Sequence, residues 1–183
     1  MAKKIKWNND KILGISAMSI SFFTLVIFIY QTNLMSKQNY LSILPYLGIS
    51  TSDNPVNGNY AISLENFGVG PAIIERVSVS YLGETENLAQ YDHQLLTYLQ
   101  AKIPALDSIK TVSYSTLDKG LAIPAGTNYN IVSINGSVND YTLLKTNLEA
   151  ITEKGFSYEI IYRSIQDERW VIKDSAQGPK KLD

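Results

Sequence analysis

"NFGVGPAII", residues 66–74, sets two glycines around a valine and follows them with a proline. Read as a phosphate loop, the stretch points to a nucleotide-binding fold. Read as a bend between strands, it points to a β domain. The dinucleotide fingerprint needs a third glycine and then a helix whose N-terminus meets the pyrophosphate. Here Ile73 stands at the third position, Pro71 has no amide to offer a phosphate, and strand-like residues follow. The Walker pattern fails as well, because no Gly-Lys-Ser/Thr follows. Gly68 and Gly70 are therefore expected to be structural, either at positive φ or where one backbone approaches another. Asn66, Gly68, Gly70 and Pro71 make up the predicted turn.

The flanks agree with a β domain. Before the turn, Tyr60, Ile62 and Leu64 alternate with Ala61, Ser63 and Glu65, the period of a half-buried strand. After it, Val77, Val79 and Tyr81 share one face and Arg76, Ser78 and Ser80 the other. "PYLGIS", from Pro45, reads as an earlier strand. "TSDNPVNGN", residues 51–59, reads as turn chemistry around Asn54-Pro55 and Asn57-Gly58. Further strands are expected within residues 109–116, 120–126, 129–136 and 156–173, with "QDER" as the last hairpin tip. Two helices interrupt them. In residues 85–104, Leu88, Tyr91, Leu95, Tyr98, Leu99 and Ile103 form a stripe, read as core. In residues 140–155, Asp140 is the expected N-cap, Tyr141, Leu144, Leu148 and Ile151 the stripe, and Gly155 the C-cap. Seven or eight short strands at hairpin spacing predict a mainly β fold: an antiparallel immunoglobulin-like β-sandwich with two helical insertions.

A membrane segment precedes this domain. "ILGISAMSISFFTLVIFIY" starts at Ile12, ends at Tyr30 and holds no charge. As a helix it spans roughly 28 Å, close to the hydrocarbon thickness of a bilayer. Its serines and its threonine can bond back to helix carbonyls. Trp7 and Tyr30 stand near its ends, where aromatic rings favour the interface, and are read as anchors. The run is longer than a cleavable signal's apolar region, and no A-x-A-type site follows, so an uncleaved signal anchor is expected. Four lysines precede it and only Lys37 follows closely. The positive-inside rule then puts the N-terminus in the cytoplasm and the C-terminal domain outside, in the periplasm of a Gram-negative cell. The expected organisation is a cytoplasmic basic leader (1–11), a transmembrane helix (12–31), a stalk helix (32–44), the sandwich (45–174) and a flexible tail (175–183).

Composition narrows the chemistry. Residues 1–37 hold five lysines and one aspartate, net +4; the remainder holds 11 basic and 16 acidic residues, net −5. A mildly acidic domain is a poor surface for nucleic acid phosphates. The chain has no cysteine, which removes disulfides, thiolate zinc sites and thiol nucleophiles together. His93 is the one histidine and is read as a surface or boundary residue, since a metal site or a triad needs more partners. Asp167 and Glu168 are neighbours that point apart and suit a solvated hairpin tip. Glu84 and Glu86 are read as favouring a helix dipole. Asn135 begins an Asn-Gly-Ser acceptor pattern that is equally a turn. The span's lack of charged residues argues against ion conduction by this chain alone.

The assembled pattern resembles a broad group of uncharacterised small bacterial single-pass membrane proteins. They pair one N-terminal membrane helix with an immunoglobulin-like domain. Pro45, Tyr46 and Leu47 match their strand start, and Asn66, Gly68, Gly70, Pro71 and Ala72 match their Asn-x-Gly-x-Gly-Pro-Ala turn. The late hairpin departs, with Asp167-Glu168 where similar proteins often carry glycine. The resemblance implies a fold and carries over no catalytic residue, cofactor or metal. The resulting expectation is a non-enzymatic, inner-membrane binding or assembly module. Its partners would be the bilayer, through residues 12–30, and a protein or a second copy of itself. The rivals are a cytoplasm-facing membrane sensor or effector in a stress or phage-response system, and an enzyme with an unrecognised site.

Overall fold

The computed structural model describes residues 8–173 and 178–182. The chain divides after Ser42 into two compact units. The first holds helix α1, Asn9–Leu41, 33 residues with none buried. It is long and apolar enough to cross a membrane, with a mean hydropathy of 2.4 in its best window. Its polar side chains bond back as expected: Ser16, Ser19 and Thr24 hydroxyls donate to the carbonyls of Leu13, Ile15 and Ile20 at 2.8–2.9 Å. The helix runs without a break through most of the expected stalk and ends before Pro45. Tyr30 lies on it, 69% exposed; Trp7 lies outside the described residues.

The second unit is built on two antiparallel sheets. Strands β1 (Leu47–Asn54), β2 (Asn59–Asn66), β5 (Val112–Tyr114) and β7 (Asn128–Ile134) form the first, in the order β1-β2-β7-β5. Strands β3 (Ala72–Tyr81), β4 (Glu84–Asn87), β8 (Ser157–Arg163), β9 (Arg169–Lys173) and β10 (Lys180–Lys181) form the second, in the order β10-β9-β8-β3-β4. The short β6 (Ala122–Ile123) pairs with the start of β3. Alternation along β8 buries Tyr158, Ile160 and Tyr162 and turns Glu159, Ile161 and Arg163 outward. One apolar cluster joins both sheets and both helices of this unit, through Leu47, Leu64, Ile74, Val79, Leu99, Leu144, Ile134 and Ile160 among others. Each such side chain taken from water contributes about 1.5–3 kcal/mol.

Several expectations change. Residues 51–54, read as a turn, are strand: β1 runs to Asn54 and only residues 55–58 turn. Polar Thr, Ser, Asp and Asn side chains disguise an edge strand half of which faces water. The first predicted helix is much shorter. Glu84–Asn87 pairs with β3 instead, Asn87 caps a 3-10 turn at Leu88–Gln90, and α2 covers only Leu95–Lys102. Glu84 and Glu86 are thus strand residues, not dipole partners. The stripe is core as expected, and Leu96, which lies off it, is buried too. In α3 (Val138–Glu153) the N-cap is Ser137, whose Oγ accepts the Asp140 N–H at 3.2 Å. Asp140 instead accepts from Thr111 N, Thr111 Oγ1 and Lys110 N, bonds that hold its carboxyl below the usual range. The expected flexible tail includes an ordered strand, since Lys180 and Lys181 pair with Val171 and Trp170; residues 174–177 and 183 lie outside the described part.

Candidate functional site

Strand β1 has a locked end and an open side. At the locked end, the buried Asn66 side chain serves four backbone groups. Its Oδ1 accepts from Gly68 N at 3.0 Å and Tyr46 N at 3.2 Å. Its Nδ2 donates to Gly70 O at 2.9 Å and Ile123 O at 3.0 Å. Val69 and Gly70 donate to Leu44 O, and Phe67 donates to Tyr46 O. Neither Gly68 nor Gly70 is at positive φ. Both are glycine because residues 43–46 run against them: an added Cβ would lie 2.4 Å from Leu44 O at Gly68 and 1.9 Å from Ile43 O at Gly70. Of the two reasons for glycine, close approach is the one that operates.

The open side follows from register. Phe67 N donates to Tyr46 O, so Tyr46 faces β2. Antiparallel pairing alternates, and β1 has no register shift; Gly48, Ser50 and Ser52 therefore also bond to β2. The backbone groups of Leu47, Ile49, Thr51 and Asp53 point the other way. Leu47 N–H meets the Tyr162 hydroxyl at 3.4 Å. Among the described residues no strand pairs with this side of β1.

Beside that edge lies a cleft of about 580 Å³. Ile49, Thr51, Tyr60 and Ile62 line it from the first sheet. Phe156, Ser157 and Tyr158 of the β8 end face them, with Leu148 and Thr152 of α3 and Leu95 of α2. No Asp, Glu, His, Lys or Arg side chain lines it. The volume falls in the range of pockets that hold ligands or side chains. Burial pushes the Tyr158 phenol up from its ordinary value, and its hydroxyl has no hydrogen-bond partner among the described residues.

Charge gathers at the end of β1. Asp53 accepts from Lys145 Nζ at 2.6 Å and from the Tyr141 hydroxyl at 2.7 Å. The bond from Lys145, then that from Tyr141, hold the Asp53 carboxyl below the usual range, and Asp53 in turn raises Lys145. Tyr60 packs edge-on to Tyr141 at 6.3 Å, and burial raises its phenol. The site thus offers free backbone groups, an apolar trough and one internally neutralised ion pair.

The other singled-out residues lie elsewhere. His93 stacks on Tyr114 at 4.4 Å between ring centres, with Nε2 3.4 Å from its hydroxyl. Among the described residues no three His, Cys, Asp or Glu gather as a metal site. Asp167 pairs with Arg163, and Glu168 accepts from Lys181 at 2.5 Å, so the last hairpin tip engages β10. Glu86 pairs with Lys102 at 2.8 Å. Asn135 is exposed beside Gly136, which has a φ of +75°. Reading from sequence missed Thr51 and Asp53, because they sit in what looks like a turn. It also missed Gln94, whose buried amide donates to Asp118 at 2.9 Å and accepts from Leu117 N at 2.7 Å. The available signal was the apolar Ile49 two residues before Thr51. No protein-family model and no curated protein matches the chain.

Proposed function

We propose that the chain is a membrane-anchored recognition or assembly module. Helix α1 holds it in the cell membrane with the N-terminus cytoplasmic, and the β domain presents a binding surface on the periplasmic side. The observation that carries this reading is the pairing of one membrane-length apolar helix with a folded β domain whose main cleft has no acidic, basic or histidine lining. Strand order supports an immunoglobulin-like sandwich: β1-β2-β7-β5 against β9-β8-β3-β4 follows the A-B-E-D and G-F-C-C′ sequence of that architecture. Such sandwiches serve many roles, so the fold supports the architecture and the site supports the function.

Two measurements test it. Alkaline phosphatase fused after residue 183 should be active in intact cells. An inactive fusion would overturn the orientation and favour a cytoplasm-facing sensor. Crosslinking in intact membranes should give a discrete complex or oligomer, and a chain that stays monomeric and unpartnered would refute the assembly role.

A further inference from the structure

We propose that the free edge of β1 receives an extended segment of a partner protein. The segment adds to the first sheet as a fifth strand and lays an apolar side chain in the cleft. This rests on the recognition reading above and names what is recognised.

Three observations converge on it. The free N–H and C=O groups of Ile49, Thr51 and Asp53 repeat every second residue, about 6.6–6.8 Å apart. Only an extended polypeptide presents alternating donors and acceptors at that repeat; a lipid chain or a sugar does not. Among the described residues the edge is also uncovered, and its one charge, Asp53, is neutralised by Lys145. Natural sheets blunt their margins with short strands, lysines or prolines. The other margins follow that rule: β5 has three residues, β4 four, and β10 is two lysines. Strand β1 has eight residues, without lysine, arginine or proline. Finally, the side chains that alternate with the β2-bonded positions, Ile49 and Thr51, are the ones that line the cleft. A partner residue opposite either of them points to the same face, towards Phe156 and Tyr158. Main-chain bonds then supply affinity and the cleft selects the alternate side chains. Asp53 is already held by Lys145, so the rim asks for no cationic partner. A second copy of β1, centred on Thr51, would set the Asp53 carboxylate against Ile49, which disfavours self-pairing.

The test selects octapeptides from a displayed random library against the full chain in nanodiscs. Thr51→Pro removes a free N–H and leaves the β2 bonds in place; Thr51→Lys puts a charge at the cleft and keeps the backbone intact if the proline variant fails to fold. The expected peptides carry apolar residues at alternate positions. They bind at least ten-fold more weakly to both variants, keep their affinity for Thr51→Ser, and lose it when alternate amides are N-methylated. Hydrogen exchange should slow at Ile49, Thr51 and Asp53 on binding, with Gly48 and Ser50 unchanged. Four results would overturn the proposal: no enrichment, binding indifferent to N-methylation, protection elsewhere, or a dimer of the chain that Thr51→Lys dissolves. If membrane crosslinking still finds a partner in that case, the edge assignment falls alone; if it finds none, both readings fall.

Discussion

The two parts of β1 are held very differently. Around residues 46 and 47, backbone groups meet Asn66, Phe67 and Tyr162, and two glycines let residues 43–46 lie directly on the turn. From Ile49 to Asp53 the inner backbone groups bond β2 and the outer ones bond nothing among the described residues. One region spends its special residues on fixing a single backbone arrangement. The other keeps donors and an apolar trough free. A fixed backbone and an unpaired one are separated within eight consecutive residues, 46–53.

The contrast is sharpest under substitution at Gly70. Gly70→Val would drive a side chain into the Ile43 carbonyl, and the loss should exceed about 4 kcal/mol and unfold the β domain, as read by circular dichroism and protease resistance. Gly68→Val should behave alike. If either variant stays folded and loses only a binding partner, the locked region is functional instead. Asn66→Ala comes next. It strands two N–H groups and two carbonyls at a buried site and should cost about 3 kcal/mol or more in chemical denaturation. Alkali should then separate the two parts. Burial pushes Tyr162 up to about 12, whereas the unfolded chain releases that proton near its ordinary value of 10.0. Its contribution is therefore intact below pH 10 and lost as pH rises through 12, a loss of about 3 kcal/mol. Equal stability at pH 9 and pH 12 would contradict this.

Changes at the open side should be small. Tyr158→Phe removes a buried hydroxyl that bonds nothing among the described residues and should leave the melting temperature unchanged or slightly raised. A clear loss would reveal a hydroxyl contact and count against an unfilled trough. Asp53→Asn should remove the stabilisation that the Lys145 pair gives above the ordinary carboxylate range. In the native chain that stabilisation is lost as pH falls through the lowered Asp53 value, so the two proteins should converge in stability in acid.

Much of the architecture can be read from residue patterns. Alternation at Tyr60, Ile62 and Leu64 and at Val77 and Val79 marks β2 and β3, because one-sided packing imposes that period directly, and an uncharged apolar run marks α1 by its length. The shortened helix was not legible. Leu88, Tyr91 and Leu95 keep helical spacing while opening a 3-10 turn, capping its end and starting a helix, since all three pack on one core. Ser137 takes the cap expected of Asp140 because either residue type can cap, and Thr111 claims the carboxylate. The open edge of β1 was least legible of all. Its signature is the absence of a neighbour, and no residue type encodes that; Thr51 and Asp53 look like turn residues because half of β1 meets water.

The stacking of His93 on Tyr114 has a practical consequence. A chain with one histidine gives one pair of imidazole carbon-proton resonances, and the Tyr114 ring current displaces them from their free positions. His93 lies two residues before Leu95 at the cleft wall. The molecule thus carries a built-in spectroscopic reporter that can follow folding without any added label.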